Sequence, residues 1–266
     1  DPTVPAAANA VRNMLTRAPL HRRWWWNDPD CLLARDAETH LTTDERRTLA
    51  TAIALSGGMV LLSDDLSALS PEALRLAQSL FPPLYRAATF PAWRGEAPPR
   101  IAILPMRKPQ GKWWVIGLFN WSDRPVCDEI RLRKWIRIPN EAIALSFWDG
   151  RLMESRAGIL EPPEIPAHGS ILLAVRALED KVQYVGSDLH FSQGAEVVES
   201  KVTRNGLQMR LRLKREAEGN IWLVLPGSPV KAAIDGKPIH PIHIQNNIWK
   251  FPVRFAGEGV LDIRWG

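Results

Sequence analysis

At 266 residues and 29.9 kDa, the chain is long enough for one large domain or two to three small ones. Apolar residues make up 45% and charged residues 24%, and no apolar run reaches the length of a helical membrane span. The formal charge of +5 does not cluster: its densest basic run, "RLRKWIR" at 131–137, interleaves Leu132, Trp135 and Ile136, which reads as the wet face of a strand and excludes a nucleic-acid footprint.

The opening "DPTVPAAANAVRN" carries neither an initiator methionine nor a signal-like segment, and it reads as a cut inside a larger polypeptide. "PAAANAVRNMLTRAPLH" predicts a helix, with Ala10, Val11, Met14 and Leu15 at helical spacing. "RWWWNDPDCLLA" follows as a short apolar strand that runs into a polar turn. On such a strand Trp24, Trp25 and Trp26 alternate faces, so at least one is expected in the core and a sugar-stacking platform can be only part of the set. Thr42 and Glu45 form a capping box for a helix whose buried stripe is Leu49, Ile53 and Ala54, and Gly57–Gly58 ends it. "MVLLS" is then an apolar strand of parallel type, and Ser70 with Pro71 opens another helix.

After "FPPLYRAATFPAWRGEAPPR" the periodicity becomes that of β-structure. "KWWVIGLFNWSD", "CDEIRLRKWIRI", "EAIALSFWDGRLM" and "GSILLAVRAL" form one series of short strands. "RNGLQMRLRLKR", "GNIWLVLP", "KAAIDGKPI", "IWKFPVRF" and "GVLDIRW" form a second, with hairpin signals at "RNGL" and "IDGK". The expected organisation is α/β over 1–95, an antiparallel sandwich-like domain over 96–180, and a second β domain over 181–266.

Asp28 and Asp30 flank Pro29, and two readings are open. One is an Asx-type turn whose carboxylates accept backbone N–H groups. The other is a pair of acids at a strand end, beside an aromatic wall, in a polyol-binding cleft. Asp64 and Asp65 pose the same choice after the next strand. Two successive strands ending in Asp-rich turns favour a site rim, because parallel α/β folds build sites at that edge. Cys31 and Cys127 lack metal-ligand or disulfide spacing, and His168, His190, His240 and His243 carry no assigned chemistry. No cofactor is expected.

"LTRAPLHRRWWWNDPDCLLAR" followed by "LTTDERRTLATAIALSGGMVLLSDDLSAL" closely resembles the late barrel portion of melibiase-type α-galactosidases, a glycoside hydrolase family that also includes raffinose and stachyose synthases. The pattern W-x-NDPD-C, L-T-x-E, S-G-G and S-D-D-L spans residues 13–69; "FNWSD", "FWDG" and "SDLHFSQGAEV" extend it loosely into the β regions. The resemblance implies the last strands and helices of a TIM (β/α) barrel, its seventh and eighth strands ending at Asn27 and Ser63, followed by the two β domains. It implies retaining hydrolysis of a terminal α-galactoside, with Trp26, Asp28, Asp30, Cys31, Asp64 and Asp65 bordering or supporting the sugar pocket. The catalytic Asp pair is expected upstream, since Asp1 sits in what looks like the stretch after the acid/base. The implied partners are a carbohydrate substrate and the missing N-terminal part of the barrel, and the chain alone is not expected to turn over substrate. Two alternatives stand: a galactosyl-transferring synthase of the same family, or a non-catalytic carbohydrate-binding or structural β module.

Overall fold

Ala7–Arg17 forms helix α1, burying Val11, Met14 and Leu15 on one face as their spacing demands. The computed structural model describes residues 6–91, 93, 95 and 97–266; Asp1, and Glu96 at the expected first boundary, lie outside the described residues. Strand β1 (Cys31–Leu32), helix α2 (Thr43–Ser56), strand β2 (Leu61–Leu62) and helix α3 (Pro71–Gln78) follow in the expected order. The two strands pair in parallel, Cys31 opposite Leu61 and Leu32 opposite Leu62.

The caps of α2 are those the sequence calls for. The Thr42 hydroxyl accepts the Glu45 N–H at 3.2 Å, and the Glu45 carboxylate accepts the Thr42 N–H at 2.8 Å. Gly57 ends the helix at φ 74°. Both glycines of the stop are also required by packing. A Cβ at Gly57 would lie 2.2 Å from the Ala87 nitrogen, and one at Gly58 would lie 2.5 Å from the Asn27 carbonyl oxygen. The backbone of the Asn-Asp-Pro-Asp turn thus rests directly on the end of α2.

Beyond residue 100 the strand pairing is antiparallel throughout the described residues. Strands β3 (Ile101–Lys108), β4 (Gly111–Phe119), β6 (Ala142–Ser146), β7 (Leu152–Glu154) and β9 (Ser170–Ala177) form a sheet in the order β3-β4-β9-β6-β7. Its two faces pack on different layers. Leu104, Trp113, Val115 and Leu172 join the core of α1–α3. Ile103, Ile116, Leu118 and Leu173 pack under a small pair of strands, β5 (Ile130–Arg131) and β8 (Ile159–Leu160). Burial on both faces explains why "KWWVIGLF" and "SILLAVRA" read as nearly continuous apolar runs.

A seven-stranded sheet follows, comprising β10 (Gln183–Ser187), β11 (Val197–Thr203), β12 (Gly206–Val224), β13 (Pro229–Ile234), β14 (Lys237–Pro238), β15 (Ile242–Gln245) and β16 (Ile248–Trp265). β12 and β16 pair along nearly their whole length, with the register shifting between Arg212 and Glu216. Met209 and Leu261 from one end of this pair share a core with Leu223 and Phe251 from the other, so the sheet folds over on itself. The "IDGK" hairpin forms as its chemistry requires, Asp235 and Gly236 both at positive φ.

Four expectations need correction. Trp24–Trp26 lie in a turn, not on a strand, and none enters the core: their exposures are 78%, 46% and 61%. The short parallel strand comes after the Asn-Asp-Pro-Asp turn instead of ending at Asn27, and β2 is confined to Leu61–Leu62. "RLRKWIR" holds a helical turn, α4 (Leu132–Trp135), because Leu132 turns into the core beneath β5 and β8 while Arg133 and Lys134 stay exposed. "RNGLQMRLRLKR" and "GNIWLVLP" are one strand, as are "IWKFPVRF" and "GVLDIRW". The charged or glycine-rich breaks between them are bends within long strands, with Lys214 at φ 56° and Gly257 at φ 73°.

Candidate functional site

The Asn-Asp-Pro-Asp turn is anchored by its buried first residue. Asn27 donates its side-chain N–H to the Arg17 carbonyl at 2.9 Å and its backbone N–H to His21 Nδ1 at 3.1 Å. Its carbonyl accepts the Met59 N–H at 3.3 Å, tying α1, the turn and the approach to β2 together. Since His21 Nδ1 accepts, the neutral ring carries its proton on Nε2. Burial, aided by the Arg22 charge, lowers the His21 pKa and favours that neutral form.

Past this anchor the acids turn back on the chain. Asp28 Oδ1 accepts the Asp30 N–H at 2.9 Å, and Asp30 Oδ1 accepts the Cys31 N–H at 2.7 Å. Asp30 adopts φ 68°, a conformation that aspartate tolerates because it bonds locally. Each carboxylate uses one oxygen this way and keeps acceptor capacity toward solvent. Trp26 is held edge-on by His21 at 5.4 Å and Tyr85 at 6.1 Å between centroids, with the Arg22 guanidinium 5.4 Å from its ring.

Trp26, Asp28 and Asp30 share a cavity of about 390 Å³ with Trp25, Asn13 and Arg17. Of the six residues expected from sequence, the structure gathers these three. Cys31 sits in β1, half-buried, with a free thiol. Asp64 is turned inward: its side chain is 1% exposed, accepting the Ala34 N–H at 2.6 Å and approaching Arg35 Nη1 at 3.4 Å. Asp65 caps the 3-10 turn Leu66–Ala68 through the Ser67 N–H at 2.9 Å, and the Ser67 contacts lower its pKa. Asn13 and Arg17 were not singled out by the sequence. Their only signal is an i, i+4 placement beside the buried stripe of α1.

Such a cavity, with carboxylate acceptors, a guanidinium donor and indole faces, suits a polyhydroxylated ligand. Among the described residues no group of three or more His, Cys, Asp or Glu side chains could hold a metal ion. A second cluster, unassigned by sequence, joins α2 to the β region: His168 Nδ1 lies 3.1 Å from Glu45 Oε1 and Nε2 lies 2.8 Å from Asp123 Oδ1. The Asp123 and Glu45 contacts raise its pKa.

No protein-family model matches the chain. Solved structures do share its fold. α-Galactosidase I from Mortierella vinacea aligns with TM-score 0.51 over 65% of this chain and 45% of its own length, at 14% identity. A Bacteroides fragilis protein assigned as an α-galactosidase/melibiase gives 0.50 over 65% and 39%, at 13% identity. A Bacillus halodurans protein assigned as an α-N-acetylgalactosaminidase gives 0.51 over 64% and 43%, at 18% identity. At these identities the likeness is one of fold, and the chain spans less than half the length of each of these structures.

Proposed function

We propose that the chain is the C-terminal portion of a retaining glycoside hydrolase of the melibiase type, acting on terminal α-galactosides. In this reading the stretches ending at Asn27 and Ser63 stand where the seventh and eighth strands of a (β/α) barrel end, and residues 1–95, 96–180 and 181–266 are the barrel remnant and two β domains. The observation that carries it is the meeting of Trp26, Asp28 and Asp30 at one cavity, in a fold shared with α-galactosidase structures. The exposed apolar surface supports it as well. Trp24, Trp25, Met59 and Leu61 lie open where neighbouring barrel strands would cover them.

The intact enzyme would form a glycosyl-enzyme on one carboxylate while a second protonates the leaving oxygen and then activates water, the two about 5–5.5 Å apart. Asp28 and Asp30 would order the pocket rim, and the catalytic pair would come from upstream residues. Of the tryptophans in the sheets of the β region, Trp113, Trp222 and Trp265 are buried and Trp114 and Trp249 half-buried, so no sheet face presents a fully exposed indole among the described residues. This favours a supporting role for them over that of an independent binding module. The test is to assay the complete polypeptide and residues 1–266 alone on a chromogenic α-galactoside. The complete protein is expected to act with retention, and Asp30→Asn to lower its rate while leaving a measurable residue. Turnover by residues 1–266 alone, abolished by Asp28→Ala, would place catalysis inside this chain and refute the assignment.

A further inference from the structure

The Trp26 cavity is organised by a residue that does not line it. His21 is buried behind it, directly after the 3-10 turn Ala18–Leu20. Its ring makes two contacts that converge on the cavity. Nδ1 accepts the Asn27 N–H at 3.1 Å, and the rings of His21 and Trp26 meet edge-on with centroids 5.4 Å apart. The backbone between these contacts closes into a small loop. The Arg22 N–H donates to the Trp25 carbonyl at 2.8 Å, and the Trp24 N–H to the Leu20 carbonyl at 3.2 Å. Trp26 and Asn27, and Asp28 directly after them, are therefore placed from one imidazole.

Three costly features gather in this short stretch. The His21 Nε2–H is buried without a hydrogen-bond partner among the described residues, although the Tyr85 backbone passes near it. Asn27 Oδ1 is likewise buried and unpaired. Arg22 adopts φ 60°, in the left-handed region that a long side chain seldom enters. An apolar side chain at position 21 would remove the first cost, so packing alone does not call for a histidine. What an apolar side chain lacks is an acceptor for the Asn27 N–H. Costs concentrated in this way mark functional sites, where geometry is held against local preference.

We infer that His21 is the positioning residue of this cavity: accepting at Nδ1, it fixes Trp26 and Asp28 relative to one another without touching the ligand. Without that acceptor the buried Asn27 N–H is left unpaired, and the turn carrying both groups is free to shift. The inference rests on reading the cavity as the substrate pocket of a hydrolase. Trp26 and Asp28 belong there to the rim and not to the catalytic pair. Displacing them weakens the hold on substrate and transition state alike, which raises KM and leaves kcat.

The test compares the parent, His21→Leu and His21→Asn in the complete polypeptide on a chromogenic α-galactoside. Asparagine carries an acceptor, Oδ1, at the branch position of Nδ1, whereas leucine carries none. His21→Leu is expected to raise KM about tenfold with kcat within about twofold of the parent, and His21→Asn to keep KM within about threefold. A histidine that only stabilised the fold would lower the active fraction, so His21→Leu would show a reduced kcat at unchanged KM, and that result would overturn the inference. So would a KM in His21→Asn as high as in His21→Leu. A second arm uses NMR of residues 1–266 and needs no substrate. At pH 7 the His21 ring should carry its proton on Nε2, and the Trp26 indole N–H resonance should move in His21→Leu and stay in His21→Asn. A proton on Nδ1, or an unmoved Trp26 resonance in His21→Leu, would also overturn the inference. If His21→Leu fails to fold, the ring tautomer and the KM of His21→Asn still decide. No turnover by the parent polypeptide would sink the hydrolase reading alone, because the NMR arm reads the hold of His21 on Trp26 directly.

Discussion

Replacing Asp64 by alanine separates its two candidate roles, pocket rim and internal tie. Asp64 reaches across from the turn after β2 to the Ala34 N–H at 2.6 Å, and Arg46 holds the Ala34 carbonyl from the other side at 2.9 Å. Ala34 is wholly buried, so Asp64→Ala leaves a buried N–H without a partner, costing about 1–3 kcal/mol. The half-exposed Arg35 contact at 3.4 Å adds at most about 1 kcal/mol. The sum, roughly 1–4 kcal/mol, corresponds to a Tm lowered by about 2–16 °C for a protein of this size. Asp64→Asn keeps an acceptor for Ala34 and should lose no more than about 1 kcal/mol. Thermal melts followed by circular dichroism give the first measurement, and hydrogen exchange at the Ala34 amide gives the second, with exchange accelerated in the alanine variant. A Tm within about 2 °C of the parent for Asp64→Ala, with Ala34 still protected, would refute the tie.

Two histidines set opposite pH dependences. Burial pushes the His190 pKa down to about 3, so below its unfolded value of about 6.5 only the unfolded chain takes up the proton. Stability should therefore fall by about 1.4 kcal/mol per pH unit below 6.5, and denaturant titrations at pH 7 and 5 should show a shallower loss in His190→Gln. His168 is raised by Asp123 and Glu45, so its contribution is present below about pH 6.5 and disappears as pH rises through the folded pKa. His168→Gln should be less stable than the parent at pH 6 and equal to it at pH 9; equal stability at both would show that the cluster contributes nothing.

The parts of the fold legible in the sequence are those whose causes are local. The capping box of Thr42 and Glu45, the Gly57 stop, the Ser70–Pro71 start and the Asp235–Gly236 hairpin each depend on residues a few positions apart, and each forms. The alternation in Leu207, Met209, Leu211 and Leu213 likewise survives as one buried face of β12. Trp24–Trp26 misled because apolar character was read as burial, although Trp26 is held at the surface by His21, Tyr85 and Arg22. The site was half legible for the same reason. The turn chemistry of Asp28 and Asp30 is local, whereas the inward turn of Asp64 depends on Ala34, thirty positions away.

The segment "SDLHFSQGAEV" carries this logic furthest. Its Ser, Asp, His and Gly content reads as a solvated turn, yet His190, Ser192, Gln193 and Glu196 are all wholly buried. Its partners lie far along the chain. Trp113 donates to the Ser192 carbonyl across 79 positions, Gln110 to the Gly194 carbonyl across 84, and His190 Nε2 meets the Pro82 carbonyl across 108. Arg176, from β9, is fully buried over the Trp113 ring at 4.3 Å and donates to the Val185 and Gln193 carbonyls at 2.9 and 3.2 Å. Its burial pulls its pKa down to about 10, still high enough to keep it charged at neutral pH. A guanidinium held this way needs a fixed surround, and Glu196 supplies the opposite charge, itself bonded by Tyr184, Ser187 and the Gly194 N–H. Those groups come from both sides of residue 180. The expected boundary there is thus where the chain changes sheets while the buried polar contacts run straight across it.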